Sequence, residues 1–349
     1  MRQNFLDPKK KDLGIDTIRG LALFLMVAGH VIGDSMNTGM RVADDSTLRY
    51  LYESLVYVRM PLFTAISGFV YAMRPVTTTS SLSVFFQGKF RRIAIPMLVV
   101  STLFFISQAL VPNTNNPPRW ADMYHIYLFG YAHFWFLQSI LCIFVLIAVL
   151  EKAGLLRSLG QFLLVSGLAL VASYNYDEFP EFFSMDRAAH LLPFFLLGLG
   201  VMRFREVFVT SIGQWLIGAV LLAMITLDQG YLLGRLSFTD PQLQLMGLVM
   251  GLTAIYTLIT QRRYCAPLAW LGAHSFEIYL FHVFGTAGGR MLLNKLNIHS
   301  TGLTFLVSMT CGLLLPVLLK KAVGRMSLLN LALFGTEVPK LRPLKVAVT

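Results

Sequence analysis

Residues 16–30 read DTIRGLALFLMVAGH, with Arg19 near one end, His30 at the other and no charged residue between them. A guanidinium grips phosphates and carboxylates through paired hydrogen bonds. An imidazole takes and returns protons near neutral pH. On a helix, eleven residues turn about 1,100°, roughly 20° beyond three full turns, and rise about 16 Å. The two side chains therefore share one face, about half a bilayer apart. Asp16 stands one turn before Arg19 and can pair with it. Arg19 at a membrane edge also has the simpler option of snorkelling to the headgroups. His30, deeper in an apolar run, points either to function or to a hydrogen bond between helices.

A second group lies in HSFEIYLFH, residues 274–282. Ser275, Tyr279 and His282 follow at intervals of four and three and share a helical face, with His274 and Glu277 on an adjacent stripe. A carboxylate beside two histidines suits an oriented imidazole, and equally a polar network that ties helices together. His133 opens HFWFLQSIL, where Trp135 reads as an interfacial anchor. Ser67 sits in Ser-Gly within MPLFTAISGF, where small residues let helices approach closely. Arg91 and Arg92 lie in KFRRIAIP. Cys142, Cys265 and Cys311 form no C-x-x-C pair, so neither a disulfide framework nor a zinc site is expected, and no other metal centre.

The elements that must carry these residues are membrane helices. The chain has 349 residues, 56% hydrophobic and 13% charged, with mean hydropathy +0.64. Soluble domains carry about 25% charged residues. A span needs roughly 20 mostly apolar residues, and ten candidates fit: 15–34, 50–73, 93–111, 133–150, 156–173, 188–204, 211–228, 241–260, 266–288 and 302–322. The fold class expected is all-α: a polytopic integral membrane protein with about ten transmembrane helices. Its organisation is a tail at 1–14, one transmembrane domain at 15–325 and a tail at 326–349. The first run, behind Lys9, Lys10 and Lys11, reads as an uncleaved helix.

The net charge of +11 has its cause in topology. With a cytoplasmic N-terminus, twenty of the 29 Lys and Arg fall on inside segments and seven on outside ones, leaving Arg19 and Arg59 within spans. That asymmetry places both termini in the cytoplasm. No basic stripe interleaved with aromatics points to nucleic acid.

Taken together these stretches resemble the membrane-bound acyltransferase 3 family. Arg19 and His30 match its opening R-x10-H signature. MPLFTAISGF at 60–69, KFRRIAIP at 89–96, HFWFLQSIL at 133–141 and LGAHSFEIYLFHVF at 271–284 follow in the family's order, so the resemblance covers about residues 12–325. In one departure, sugar-modifying members often carry His before MPLF, and this chain carries Arg59. That leaves the acceptor subclass open: Arg59 meets either an acidic acceptor or lipid headgroups.

The resemblance implies transfer of an acyl group, acetyl in most members, from cytoplasmic acyl-CoA to a hydroxyl on a glycan, lipid or small molecule. Acyl-CoA, acetyl-CoA foremost, is then a co-substrate, and no bound cofactor is expected because a thioester is already activated. Attack by an alcohol requires a base, a role that falls to His30. Transient acyl-histidine formation is the alternative. His282 and Glu277 join Arg19 and His30 as catalytic candidates. Arg91, Arg92 and Arg19 are candidates for the donor phosphates, although inner helix ends are basic in any membrane protein. Asp16, Ser67, His133 and Tyr279 are expected to line the site. Partners are acyl-CoA, a hydroxyl acceptor and membrane lipids. The location expected is a bacterial inner membrane, with oligomeric state open. Two rival classes remain: a secondary transporter of a solute or protons, and a non-catalytic subunit of a glycan-export assembly.

Overall fold

The computed structural model describes residues 12–76, 81–112, 114–115 and 117–336. The expected N-terminal tail, apart from its last three residues, and the end of the C-terminal tail lie outside them. Among the described residues every regular element is helical. Ten helices form the body: α1 (Leu13–Ile32), α2 (Val56–Met73), α3 (Ile95–Leu110), α4 (Trp135–Lys152), α5 (Leu159–Tyr174), α6 (Met185–Arg203), α7 (Ser211–Leu232), α8 (Asp240–Thr260), α9 (Ser275–Lys295) and α10 (Thr301–Val323). Eight helical segments, those containing α1–α4, α6–α8 and α10, are long and apolar enough to cross a membrane. α5 is shorter at 16 residues, and α9 carries Glu277, His282 and Arg290 among its 21.

The ten elements match the ten expected spans, with local breaks that hydropathy does not reveal. The expected span 50–73 is a short helix, Thr47–Glu53, followed after a turn by α2. The span 266–288 is likewise two pieces, Ala266–Ala273 and α9. They part at His274, whose Nδ1 lies 2.9 Å from the Trp270 carbonyl oxygen of the preceding turn. α3 is the continuation of a helix from Leu82–Lys89 through a π-helical turn, Phe90–Ala94. Pro96 explains the wide turn. It has no N–H to give, and its ring crowds the carbonyl four residues back, at Arg92. The expected C-terminal tail begins with a helix, Ser327–Phe334, that buries Asn330 and Phe334 and packs against α3.

Glycines set the closest approaches. A Cβ on Gly20 would lie 1.8 Å from the Leu268 carbonyl oxygen, and one on Gly272 would lie 1.9 Å from that of Asp16. α1 and the Ala266–Ala273 helix therefore meet backbone to backbone. Asp12 reinforces the junction: its Oδ1 caps the start of α1, and its Oδ2 accepts from Arg262 at 2.9 Å. α2 and α6 pack in the same way through Gly68, against Phe195, and Gly198, against Ala65. α7 is the outlier, with only 6% of its apolar window buried within the chain. It presents Trp215 and Leu216 outward, as a lipid-facing helix does.

A candidate active site

One large cavity, about 2050 Å³, is cut into the bundle. Its walls come from the C-terminal halves of α1, α3 and α9 and the N-terminal halves of α2, α6, α8 and α10, with the loops beside them. The helices therefore alternate in direction, and the cavity opens at the end opposite the start of α1 and the end of α10. The charge asymmetry assigns that open end to the outside.

His30 stands exposed to the cavity. Behind it lie two further histidines, both buried. The His30 and His282 ring centroids are 4.9 Å apart, His282 and His133 4.8 Å, and His30 and His133 6.0 Å. Each reaches this point by a different route. His282 comes from α9, one face of which also carries Tyr279, as its spacing predicts. His133 precedes α4 in a loop, where Ala132 adopts φ 44°, a left-handed conformation that non-glycine residues enter at some cost. Three bonds hold that loop. Tyr279 Oη donates to the His133 carbonyl oxygen. Gln138 Nε2 donates to the Phe129 carbonyl oxygen at 3.1 Å. Ser184 Oγ donates to Gln138 Oε1 at 2.7 Å.

The hydrogen bonds also fix a tautomer. His282 Nδ1 lies 2.8 Å from the Tyr279 carbonyl oxygen and 3.2 Å from that of Ile278. A carbonyl oxygen only accepts, so Nδ1 carries the proton. His282 Nε2 is left as a buried lone pair with no hydrogen-bond partner among the described residues, and the ring nitrogens of His133 are buried with no well-formed hydrogen bond among them, although the Leu280 backbone interacts with that ring. Unsatisfied buried polar atoms are rare in folded proteins. Here three of them, on His133 and His282, stand around one exposed imidazole.

The other residues singled out from sequence fall elsewhere. Arg19 Nη1 bonds Asp16 Oδ1 at 2.9 Å, the i, i+3 pair expected, where α1 meets the Ala266–Ala273 helix. Arg91 and Arg92 occupy the π-helical turn, against which Gly335 packs closely. None of Arg19, Arg91 and Arg92 lines the cavity. Glu277 sits apart from the histidines, with Lys320 in its electrostatic range. Ser67 Oγ donates back to the Phe63 carbonyl oxygen at 2.9 Å and takes no part in the cavity, beside the close contact of α2 with α6. Spacing gave the face each residue occupies but not the neighbour that face meets.

Arg59, which the sequence leaves open between an acidic acceptor and lipid headgroups, is central here. It is buried, lines the cavity and reaches α1 beside His30, where a Cβ on Gly29 would lie 2.0 Å from Arg59 Nη1. The signals available in the sequence were a charge inside a span and a glycine next to the histidine.

An exposed imidazole backed by lone pairs, beside a guanidinium, at the floor of a cavity within a helical membrane bundle, suits proton removal from a hydroxyl. A family model described as an acyltransferase domain, Acyl_transf_3, matches residues 12–321, nearly the whole helical body. No curated protein and no solved structure matches the chain significantly. The chain is an integral membrane protein that belongs to the acyltransferase 3 family.

Proposed function

We propose that the protein is an O-acyltransferase that moves an acyl group, acetyl first among candidates, from cytoplasmic acyl-CoA to a hydroxyl of a glycan, glycolipid or related acceptor. The observation that carries this reading is His30, exposed at the cavity floor and free of hydrogen bonds among the described residues, with His282 Nε2 behind it. The hydroxyl loses its proton to His30 as its oxygen attacks the thioester carbonyl. The tetrahedral intermediate collapses, the C–S bond breaks, and the CoA thiolate takes up the proton. The products are an ester, free CoA and the original imidazole. His282 and His133 hold the ring and offer the proton further acceptors.

The donor enters from the opposite end. Arg19, Arg91 and Arg92 lie on that side and suit the phosphates of CoA. α1 then links donor binding to chemistry, which accounts for an arginine and a histidine on one face of one helix. The bacterial inner membrane is the membrane we assign, from the charge asymmetry and the glycan-type acceptor.

The test is hydrolysis and binding of radiolabelled acetyl-CoA by the purified protein in nanodiscs. Wild type is expected to bind the donor and hydrolyse it slowly. His30→Ala is expected to bind equally and lose turnover by about 10²–10⁴-fold, the usual worth of a general base. If neither protein binds any acyl-CoA tested, the donor assignment fails and solute transport becomes the leading reading. If His30→Ala turns over normally, the base lies elsewhere.

A further inference from the structure

Arg59 is a charge in an apolar helix with no counter-ion. No carboxylate stands within 4.0 Å of it among the described residues, although six other arginines are so paired. Glu53 is within electrostatic range but not in contact. The guanidinium carbon lies 3.9 Å from the centroid of the Tyr52 ring, which supports one face and leaves the N–H edge unclaimed. The side chain is more than nine-tenths buried, with 8% of the residue exposed, and that remainder borders the cavity. Lipid headgroups are therefore not its partner. A guanidinium held inside a membrane without an anion is costly. Such a group is kept when a ligand supplies the missing charge.

The position is specific. Gly29 precedes His30, and the missing side chain at Gly29 is the space that the guanidinium occupies. Whatever anion bonds Arg59 is thereby placed next to the His30 imidazole. The rest of the cavity has the same sign. Arg41, Arg187, Arg290 and Lys295 line it against Asp34, Asp177 and Asp240, and Arg41, Arg290 and Lys295 are likewise unpaired with carboxylates among the described residues. A cavity with a positive lining concentrates anions from the outer solution.

Building on the acyltransferase reading above, we propose that Arg59 binds an anionic group, carboxylate or phosphate, on the acceptor itself and so presents the acceptor's hydroxyl to His30. Arg59 is thus a specificity-determining residue, and the acceptor class is an acidic or phosphorylated saccharide rather than a neutral one.

The test uses the full chain in nanodiscs with three probes at matched ionic strength: glucose, glucuronate and glucose 6-phosphate. Thermal stabilisation against probe concentration is read for wild type, Arg59→Gln and Arg59→Lys. Wild type is expected to respond to the anionic sugars and not to glucose. Arg59→Gln is expected to need about tenfold more anion or greater, as loss of a buried charged hydrogen bond implies. Arg59→Lys, which keeps the charge but not the paired donors, falls between them and shows that the site still folds. The anionic probe that half-saturates at the lower concentration tells carboxylate from phosphate. Equal responses to all three sugars, no response to either anion, or an unchanged response in Arg59→Gln overturns the proposal. Acetyl-CoA hydrolysis is measured on the same samples. Hydrolysis without anion preference removes this proposal alone. Anion preference without hydrolysis removes the acyltransferase mechanism and leaves the anion site standing.

Discussion

At the scale of residues, the floor of the cavity is a set of directed lone pairs rather than a collection of histidines. His282 is committed by its own helix, because the Ile278 and Tyr279 carbonyl oxygens hold the Nδ1 proton and leave Nε2 to accept. His133 depends on Tyr279, whose hydroxyl bonds its carbonyl oxygen. Tyr279→Phe removes that bond alone. We expect a stability loss of about 0.6 kcal/mol, the average for such bonds within membranes, and a larger fall in turnover as the His133 loop shifts. Measuring thermal stability and acetyl-CoA hydrolysis together separates the two; an unchanged hydrolysis rate would show that the loop is not positioned by this bond. Much of this floor is legible in the sequence. His30 is readable from its spacing of eleven from Arg19, which itself lies away from the cavity, and Tyr279 with His282 from a spacing of three. The meeting of His133 with His282 is not, because it depends on a positive φ at Ala132 and on a loop tied down by Gln138. Arg59 is legible as a charge within a span, but its place beside His30 is not, because its neighbour is the absence of a side chain at Gly29.

At the scale of elements, hydropathy finds every helix of the body and none of their interruptions. Apolar content is blind to φ and ψ, so the π-helical turn before Pro96 and the break at His274 pass unseen. Both interruptions fall on the end where the donor is proposed to enter, and π-helical turns are frequent at functional sites. Glycine contacts are the other property of elements that sequence leaves ambiguous, since a glycine in a membrane helix is common whether or not it packs. Gly198 and Gly218 make the contrast. A Cβ on Gly198 would meet the Ala65 carbonyl oxygen at 1.8 Å, whereas Gly218 has open space around it on α7. Gly198→Val is expected to separate α2 from α6 and cost about 1–3 kcal/mol or more, the usual penalty of overpacking. Gly218→Val is expected to be neutral. Thermal unfolding of both variants in detergent checks this, and equal midpoints would mean that the α2–α6 contact yields easily.

At the scale of the whole molecule, the bundle is hollow at one end and packed at the other. The positive-inside count foretells the alternation of helices, but no property of a linear sequence foretells a cavity of about 2050 Å³. The hollow has an electrical meaning. Outside solution filling the vestibule carries the outside potential down to His30, so the membrane voltage drops across the packed half alone. From His30 to the level of Arg19 that layer is about 16 Å, against roughly 30 Å for the full hydrocarbon core, and the local field is therefore about doubled. In the proposed reaction the thiolate is released from the carbonyl that the hydroxyl attacks beside His30 and takes up the proton there. The acyl group thus passes outward to the acceptor oxygen while the acceptor's proton passes inward on the CoA thiol, and no net charge crosses the layer. Proteoliposomes loaded with acetyl-CoA are therefore expected to acylate the acceptor to the same extent with the interior held negative as with a potassium ionophore clamping the potential to zero. An extent that changes with voltage would show that a charge crosses with the acyl group. With the floor of histidines as the boundary, acyl and proton change sides without drawing on the membrane potential.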